Sequence, residues 1–139
     1  VRIPPVSPYG LIQETLWPDE WLILVTGTML NCTTRKQVER VLPDFRCRWP
    51  TPQVFVTASY DDVFELIKPL GFGNRRTGNL LKMTRAYLMT DWHHARELPG
   101  VGEYGARSWE IFCLGVLGTT PPKDHALLQY WDWAVTLPS

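Results

Sequence analysis

Apolar positions recur at three- and four-residue intervals over most of the chain, the spacing of helices that bury one face. Leu11 to Trp17 predicts a short helix halted by Pro18. Pro18-Asp19-Glu20 opens a second, with proline early and acids in the first turn, where the helix dipole favours them. That helix runs through Trp21, Leu22, Ile23, Leu24, Val25, Met29 and Leu30, apolar on nearly every side, and should lie at the centre of the fold. Asn31-Cys32-Thr33-Thr34 breaks it. Thr33 or Thr34 caps a third helix through Val38, Val41, Leu42 and Phe45, which Pro43 is expected to kink or end.

Thr51-Pro52 repeats the cap signal before a short helix at Val54 to Ala58, and Ser59-Tyr60-Asp61 starts another, Val63 to Leu70. Gly73 to Thr90 carries Leu80, Leu81, Met83 or Thr84, Tyr87 and Leu88 at helical spacing. Two more helices follow, one through Tyr104, Trp109, Ile111, Phe112 and Val116, the other through Ala126, Leu127, Leu128, Tyr130, Trp131 and Trp133. Val1 to Pro8, with its prolines, reads as an extended lead-in, and Gly118 to Pro122 as a connector. The pattern predicts an all-α chain of roughly eight or nine helices without internal repeats.

The 139 residues suffice for one domain with a proper core, and the start at Val1 rather than Met suggests a domain cut from a longer chain. Cys32, Cys47 and Cys113 are odd in number and form no close pair, which points to reduced, intracellular thiols rather than a disulfide framework. His93-His94 and His125 are too isolated for a zinc site, so neither metal nor cofactor is expected. No apolar run reaches membrane-spanning length. Formal net charge is zero, so nothing global announces nucleic acid. Locally, Arg75, Arg76, Lys82 and Arg85 share a helix stretch with no acid; a solvated face explains this as readily as a phosphate-binding one.

Between the two longest later helical patterns lies Leu98-Pro99-Gly100-Val101-Gly102-Glu103-Tyr104-Gly105. Glycines on both sides of Val101 predict positive φ and main-chain N–H groups open to an anion, with the N-terminus of the next helix behind them. Gly-x-Gly alone would be a helix-stop turn; helix, Leu-Pro-Gly-Val-Gly, helix is the pattern of a helix-hairpin-helix that grips a DNA backbone. Three further residues have two readings each. Gln13 is by default exposed, or else faces a cleft; Phe72, between Gly71 and Gly73, is core or an exposed wedge. Asp124 is an N-cap, a role compatible with chemistry because the N–H donors favour its ionised form.

Four blocks carry a family resemblance: Gln13-Glu14-Thr15-Leu16 with the Trp21 helix and Leu30-Asn31; Lys68-Pro69-Leu70-Gly71; Gly102-Glu103-Tyr104-Gly105 with Ile111-Phe112-Cys113; and Asp124-His125 with Tyr130, Asp132 and Trp133. From Gly10 to about Trp133 the chain resembles the helix-hairpin-helix DNA glycosylase superfamily, in particular its thymine and uracil mismatch glycosylases. The resemblance implies a two-lobed all-α fold, with the terminal helices forming one lobe and the middle of the chain the other. A flipped base would enter the cleft between them. It implies Asp124 as the catalytic carboxylate, assisted by Tyr104, with Gln13 and Tyr104 on the pyrimidine. Asn31, Cys32, Phe72, Arg75, Lys82, Gly100, Val101, Gly102 and Gly105 would lie against DNA.

Bifunctional relatives carry a lysine where this chain has Tyr104, so a monofunctional enzyme leaving an abasic site is expected. Cys32 replaces an arginine that enters the DNA stack in close relatives, and Phe72 replaces a leucine plug. A four-cysteine iron–sulfur motif cannot be built from the cysteines present. The implied partner is duplex DNA with a mispaired or damaged base, bound by a monomer, in the nucleus of a eukaryote or otherwise in the cytoplasm. Alternatives are a glycosylase for adenine or another damaged base, a non-catalytic helix-hairpin-helix module, and a helical scaffold using Trp-rich faces to bind protein.

Overall fold

The computed structural model describes residues 3–138, and Val1 and Arg2 of the expected lead-in lie outside them. Among the described residues the regular structure is helical throughout: α1 (Ile12–Leu16), α2 (Glu20–Leu30), α3 (Arg35–Arg48), α4 (Pro52–Phe55), α5 (Tyr60–Ile67), α6 (Gly73–Met89), α7 (Glu103–Trp109) and α8 (His125–Ala134). Single 3-10 turns occupy Lys68–Leu70 and Ala95–Glu97, and a π turn, Glu110–Leu114, extends α7.

Side-chain caps start most of these helices where the sequence places them. Asp19 accepts the Leu22 N–H at 3.0 Å, Thr34 that of Gln37 at 3.3 Å, Thr51 that of Val54 at 3.2 Å and Ser59 that of Asp62 at 3.2 Å. Glu14 secures the first turn of α1 and the lead-in together, accepting the N–H of Leu11 and of Ser7, each at 2.7 Å, and the Ser7 hydroxyl at 2.8 Å.

Three expected boundaries are corrected. Pro43 neither ends α3 nor sits at its edge: the helix continues to Arg48. Pro43 is exposed, so the carbonyl it leaves unbonded reaches water while Val38, Val41, Leu42 and Phe45 keep the opposite face buried. The short helix after Thr51 starts at Pro52 and stops at Phe55 rather than running from Val54 to Ala58, because the Thr57 hydroxyl donates to the Val54 carbonyl at 2.7 Å and closes the turn. Next, α5 begins at Tyr60 and ends at Ile67, with Pro69 inside the 3-10 turn that follows.

Helix α2 is the shared spine. It is buried from Trp21 to Met29 and packs on α6 on one side and α7 on the other. On the α6 side, α3, α4 and α5 close a lobe around an aromatic cluster: Trp21, Phe45, Trp49 and Phe55, with ring centroids 5.2–5.9 Å apart. The Trp21 indole also donates to Thr84 at 3.0 Å. In the other lobe Phe112 packs on Tyr130 (4.8 Å), and the Tyr130 hydroxyl donates to the Pro5 carbonyl, joining the lead-in to α8. At the α2–α7 crossing a Cβ on Gly27 would stand 3.2 Å from the Gly105 Cα, so glycine at 27 lets the helices touch, whereas a Cβ on Gly105 would meet Val101 Cγ1 at 3.3 Å. Trp21, Trp49 and Trp109 are buried, and the other four tryptophans are half-buried against the core.

Candidate active site

A cleft of about 360 Å³ opens where the two lobes meet, lined by Leu11–Gln13, by the Leu30–Thr33 turn with Arg35, by Tyr104, and by Asp124 and Ala126. Gln13 comes from α1, Tyr104 from the first turn of α7 and Asp124 from the start of α8. The fold thus brings together three side chains that are far apart in sequence.

Gln13 is not exposed, as a lone glutamine would be by default, but 1% accessible. Its amide nitrogen donates to the Tyr104 hydroxyl at 2.7 Å and to the Ser108 hydroxyl at 3.1 Å. Both amide hydrogens are then used, which turns the carbonyl of the amide toward the cleft as an acceptor. Ser108 was not singled out from sequence. It lies four residues beyond Tyr104 on α7, on the same helix face, and that spacing was its only signal.

Tyr104 accepts from Gln13 and so keeps its own O–H free to donate. Burial, reinforced by the nearby Asp124 charge and opposed by the Gln13 bond, pushes its pKa up to about 12. The hydroxyl is therefore protonated at any physiological pH.

Asp124 is the N-cap of α8: one carboxylate oxygen accepts the Leu127 N–H at 3.0 Å while the residue stays exposed on the cleft side. The cap uses one carboxylate oxygen, and the residue also lines the cleft.

The opposite rim is built from two turns. Asn31 ends α2 and Cys32 follows with φ +62°; Phe72, with φ +48°, precedes α6 and is 66% exposed. Phe72 is exposed, not core. Arg76, expected among the phosphate-facing bases, is instead 4% accessible. Its guanidinium donates to the carbonyls of Leu70 (2.8 Å), Gly71 and Asn31, tying the two turns together, and lies 5.6 Å from the Phe72 ring centroid. Burial lowers its pKa from the usual arginine value, against a smaller opposing effect of Cys32. Because its hydrogen-bond partners are carbonyls rather than carboxylates, its positive charge stands uncompensated beneath this rim.

Thr28, Asn31, Cys32, Phe72, Arg75, Asn79 and Gly100 surround a second hollow beside Arg76, and Arg75, Asn79 and the Gly100–Gly105 hairpin line a third. Only Gly100 of the hairpin glycines has positive φ (+82°); a Cβ there would also meet the Asn79 side chain at 2.9 Å. Gly102 is extended, at φ −89° and ψ −170°, and its role is openness: nothing lies within 4 Å of a Cβ built on it. Val101 is half-buried and Gly105 fully so, at the α2 contact described above. Lys82 is exposed on α6, two turns beyond Arg75 and on the same face, but outside these hollows. Arg35, not anticipated from sequence, stands at the mouth of the base cleft and donates to the Gly10 carbonyl at 2.5 Å.

No group of three or more His, Cys, Asp and Glu among the described residues is arranged to hold a metal, and none of the described helices is long and apolar enough to cross a membrane. A methyl-CpG-binding domain protein 4-like protein of Arabidopsis thaliana is 36% identical over 131 residues, 94% of this chain and 29% of that protein. A thymine-DNA glycosylase of Aeropyrum pernix is 37% identical over 118 residues, 80% of this chain and 52% of that one. The chain spans about half the length of these relatives or less. The structure of a thermostable thymine-DNA glycosylase superposes with a TM-score of 0.67, covering 83% of this chain and 54% of that one at 20% identity, a match of fold. The sequence model of the HhH-GPD superfamily base excision DNA repair proteins matches residues 27–133. That span takes in the last turn of the central helix, the hairpin with both its flanks and nearly all of the helix capped by Asp124, and the chain belongs to this superfamily.

Proposed function

We propose that this chain is a monofunctional DNA glycosylase that takes uracil or thymine mispaired with guanine out of the duplex and hydrolyses its N-glycosidic bond, leaving an abasic site. The observation that carries the reading is the convergence of Gln13, Tyr104 and Asp124 on one cleft at the junction of two lobes. A base inside a duplex is out of reach of any side chain, and a mispaired base is the cheapest to extract. Once in the cleft, a uracil or thymine offers an N3–H donor and carbonyl acceptors. The Gln13 carbonyl and the Tyr104 O–H are an acceptor and a donor of matching sense, held in place by their mutual bond and by Ser108.

As the bond to the sugar lengthens, positive charge grows on the ring. The free oxygen of Asp124 stabilises it and orients a water for attack, while the Leu127 N–H holds the other oxygen in place. Tyr104 stands where bifunctional relatives carry an amine, and a phenol does not form a Schiff base, so strand cleavage is not expected. Around the cleft, Phe72 fills the gap left by the base, with Asn31 and Cys32 beside it. The Gly100–Gly102 hairpin and the bases Arg75 and Lys82 hold phosphates. The enzyme acts as a monomer, in the nucleus if its source is a eukaryote.

The test is excision from duplexes carrying a single G·U, G·T, A·U, G·A or G·C pair, half of each sample treated with hot alkali. Cleavage of G·U and G·T only after alkali is expected. Nicks made without alkali, or a borohydride-trapped covalent complex, would overturn the monofunctional assignment. Cleavage confined to G·A would overturn the substrate class, and tight binding without cleavage in any lane would leave a DNA-binding module in place of an enzyme.

A further inference from the structure

Asp124 reaches the cleft at the end of a connector that carries no helix between the π turn and α8. Its first half is held by the Val116 N–H on the Glu110 carbonyl (2.8 Å) and by the Trp131 indole on the Leu117 carbonyl (2.9 Å). The second half is held by Arg107, whose guanidinium donates to the Thr120 carbonyl. The connector turns closely over that guanidinium: Gly118 has φ +73°, and a Cβ there would stand 3.5 Å from Arg107 Nη1.

Arg107 is itself fixed from behind. Its side chain is 13% exposed, Nη1 lies 3.5 Å from Glu110 Oε1, and the other Glu110 oxygen is 3.2 Å from His94 Nε2 on the segment before the hairpin. The planar fork of an arginine can hold a carboxylate and a carbonyl at once. Arg107 also lies three residues beyond Tyr104, on the same face of α7, and both line a hollow that the connector and Asp124 close. One helix therefore carries the Tyr104 hydroxyl and the clamp on the strand of chain that delivers Asp124.

We propose that Arg107 is a positioning residue for excision: by holding the Thr120 carbonyl it sets where the Asp124 carboxylate stands relative to Tyr104 and to the sugar of the flipped nucleotide. The inference rests on the glycosylase reading above. It concerns geometry rather than contact, since Arg107 touches the connector and not the cleft. Its signature is therefore a loss of rate without a loss of DNA affinity, as a misplaced group can lower a rate by up to about 100-fold while leaving binding intact.

The experiment measures single-turnover excision of G·U, affinity for the abasic product duplex, and thermal melting, in the wild-type chain, Arg107→Met and Arg107→Lys. Arg107→Met should lower the excision rate by about 10- to 100-fold with affinity for the product duplex within about two-fold of wild type. Arg107→Lys, which keeps a charged donor but not the fork, should fall between the two. A wild-type rate in Arg107→Met, or a rate that falls only in step with duplex affinity, overturns the proposal. Should Arg107→Met fail to melt as a folded protein, Arg107→Lys decides: a reduced rate with wild-type affinity supports positioning, and a wild-type rate overturns it. A wild-type chain that excises nothing overturns the glycosylase reading and this inference with it, whereas an active wild type beside an equally active Arg107→Met overturns this inference alone.

Discussion

On the Tyr104 side of the cleft, position is set by side chains bonded to side chains: Gln13 to Tyr104 and Ser108, with Asp124 capping α8 beside them. On the Phe72 side it is set by main chain. Two turns with left-handed residues, Cys32 and Phe72, are clasped through the Asn31, Leu70 and Gly71 carbonyls by one buried guanidinium. The first wall specifies its residues, because removing the polar group of Gln13, Tyr104 or Ser108 takes a partner from another of them in a site that is largely buried. The second specifies a backbone path and leaves the side chains on it free to vary. Cys32 and Phe72, where the sequence was expected to depart from its relatives, both lie on this second wall.

If that contrast holds, the largest single loss should come from the first wall without any loss of fold. Asp124→Asn keeps the N-cap, since asparagine caps a helix about as well as aspartate, and removes only the charge. Excision should fall by roughly 1,000-fold, the upper range for removing one preorganised electrostatic group, while melting temperature and affinity for the abasic product duplex stay near wild type. Single-turnover kinetics beside a melting curve measures both. A variant with unchanged excision would take the chemistry away from Asp124, and one that no longer folds would show that the cap needs the charge.

The two walls also differ in how far they were legible in sequence. Helix starts were plain because a cap acts within one turn: Asp19, Thr34, Thr51, Ser59 and Asp124 each accept the N–H three residues on. The hairpin between two helices and the N-cap setting of Asp124 followed from equally local signals. What stayed hidden depends on residues distant in the chain. The burial of Gln13 needs Tyr104 and Ser108, more than ninety positions away, and the partners of Arg76 include a carbonyl 45 positions back. A basic residue among basic residues gives no sign that it alone turns inward, and the π turn after α7 has no local marker beyond Gly115 at its end, in the left-handed conformation. The expectation of positive φ at both hairpin glycines likewise failed at Gly102, which is extended with open space where a Cβ would stand.

A smaller effect, of different kind, is expected from the guanidinium under the second wall. Arg76→Met keeps most of the volume and strands the Leu70, Gly71 and Asn31 carbonyls. Losing the partner of the buried Leu70 carbonyl and of the two part-buried ones should destabilise the fold by about 2–4 kcal/mol. Melting should drop by roughly 5–10 °C. Affinity for DNA should fall as well, because the Phe72 and Cys32 turns lose their common anchor and the rim loses its buried positive charge. Excision measured at saturating enzyme should suffer less than affinity, the reverse of Asp124→Asn. If the rate falls and affinity does not, the two walls are not separable and the guanidinium also governs the chemistry.

The smallest effect sharpens the contrast most directly, because it asks whether backbone alone sustains the second wall. Cys32 holds φ +62°, a conformation that costs a non-glycine residue roughly 1–2 kcal/mol, and its thiol makes only a long contact with Asn31 Oδ1 at 3.8 Å. Cys32→Gly removes that cost but adds freedom to the unfolded chain, an opposing effect of up to about 1 kcal/mol. The net change should be a gain of about 0–2 kcal/mol, seen as a melting temperature raised by roughly 0–6 °C. A control at the companion turn separates conformation from contact: Phe72→Gly relieves the same kind of strain at φ +48° but discards the ring that rests on Arg76, so it should melt lower than Cys32→Gly. A clear destabilisation by Cys32→Gly would mean that the thiol itself holds the turn, and that the second wall, like the first, is specified by its side chains.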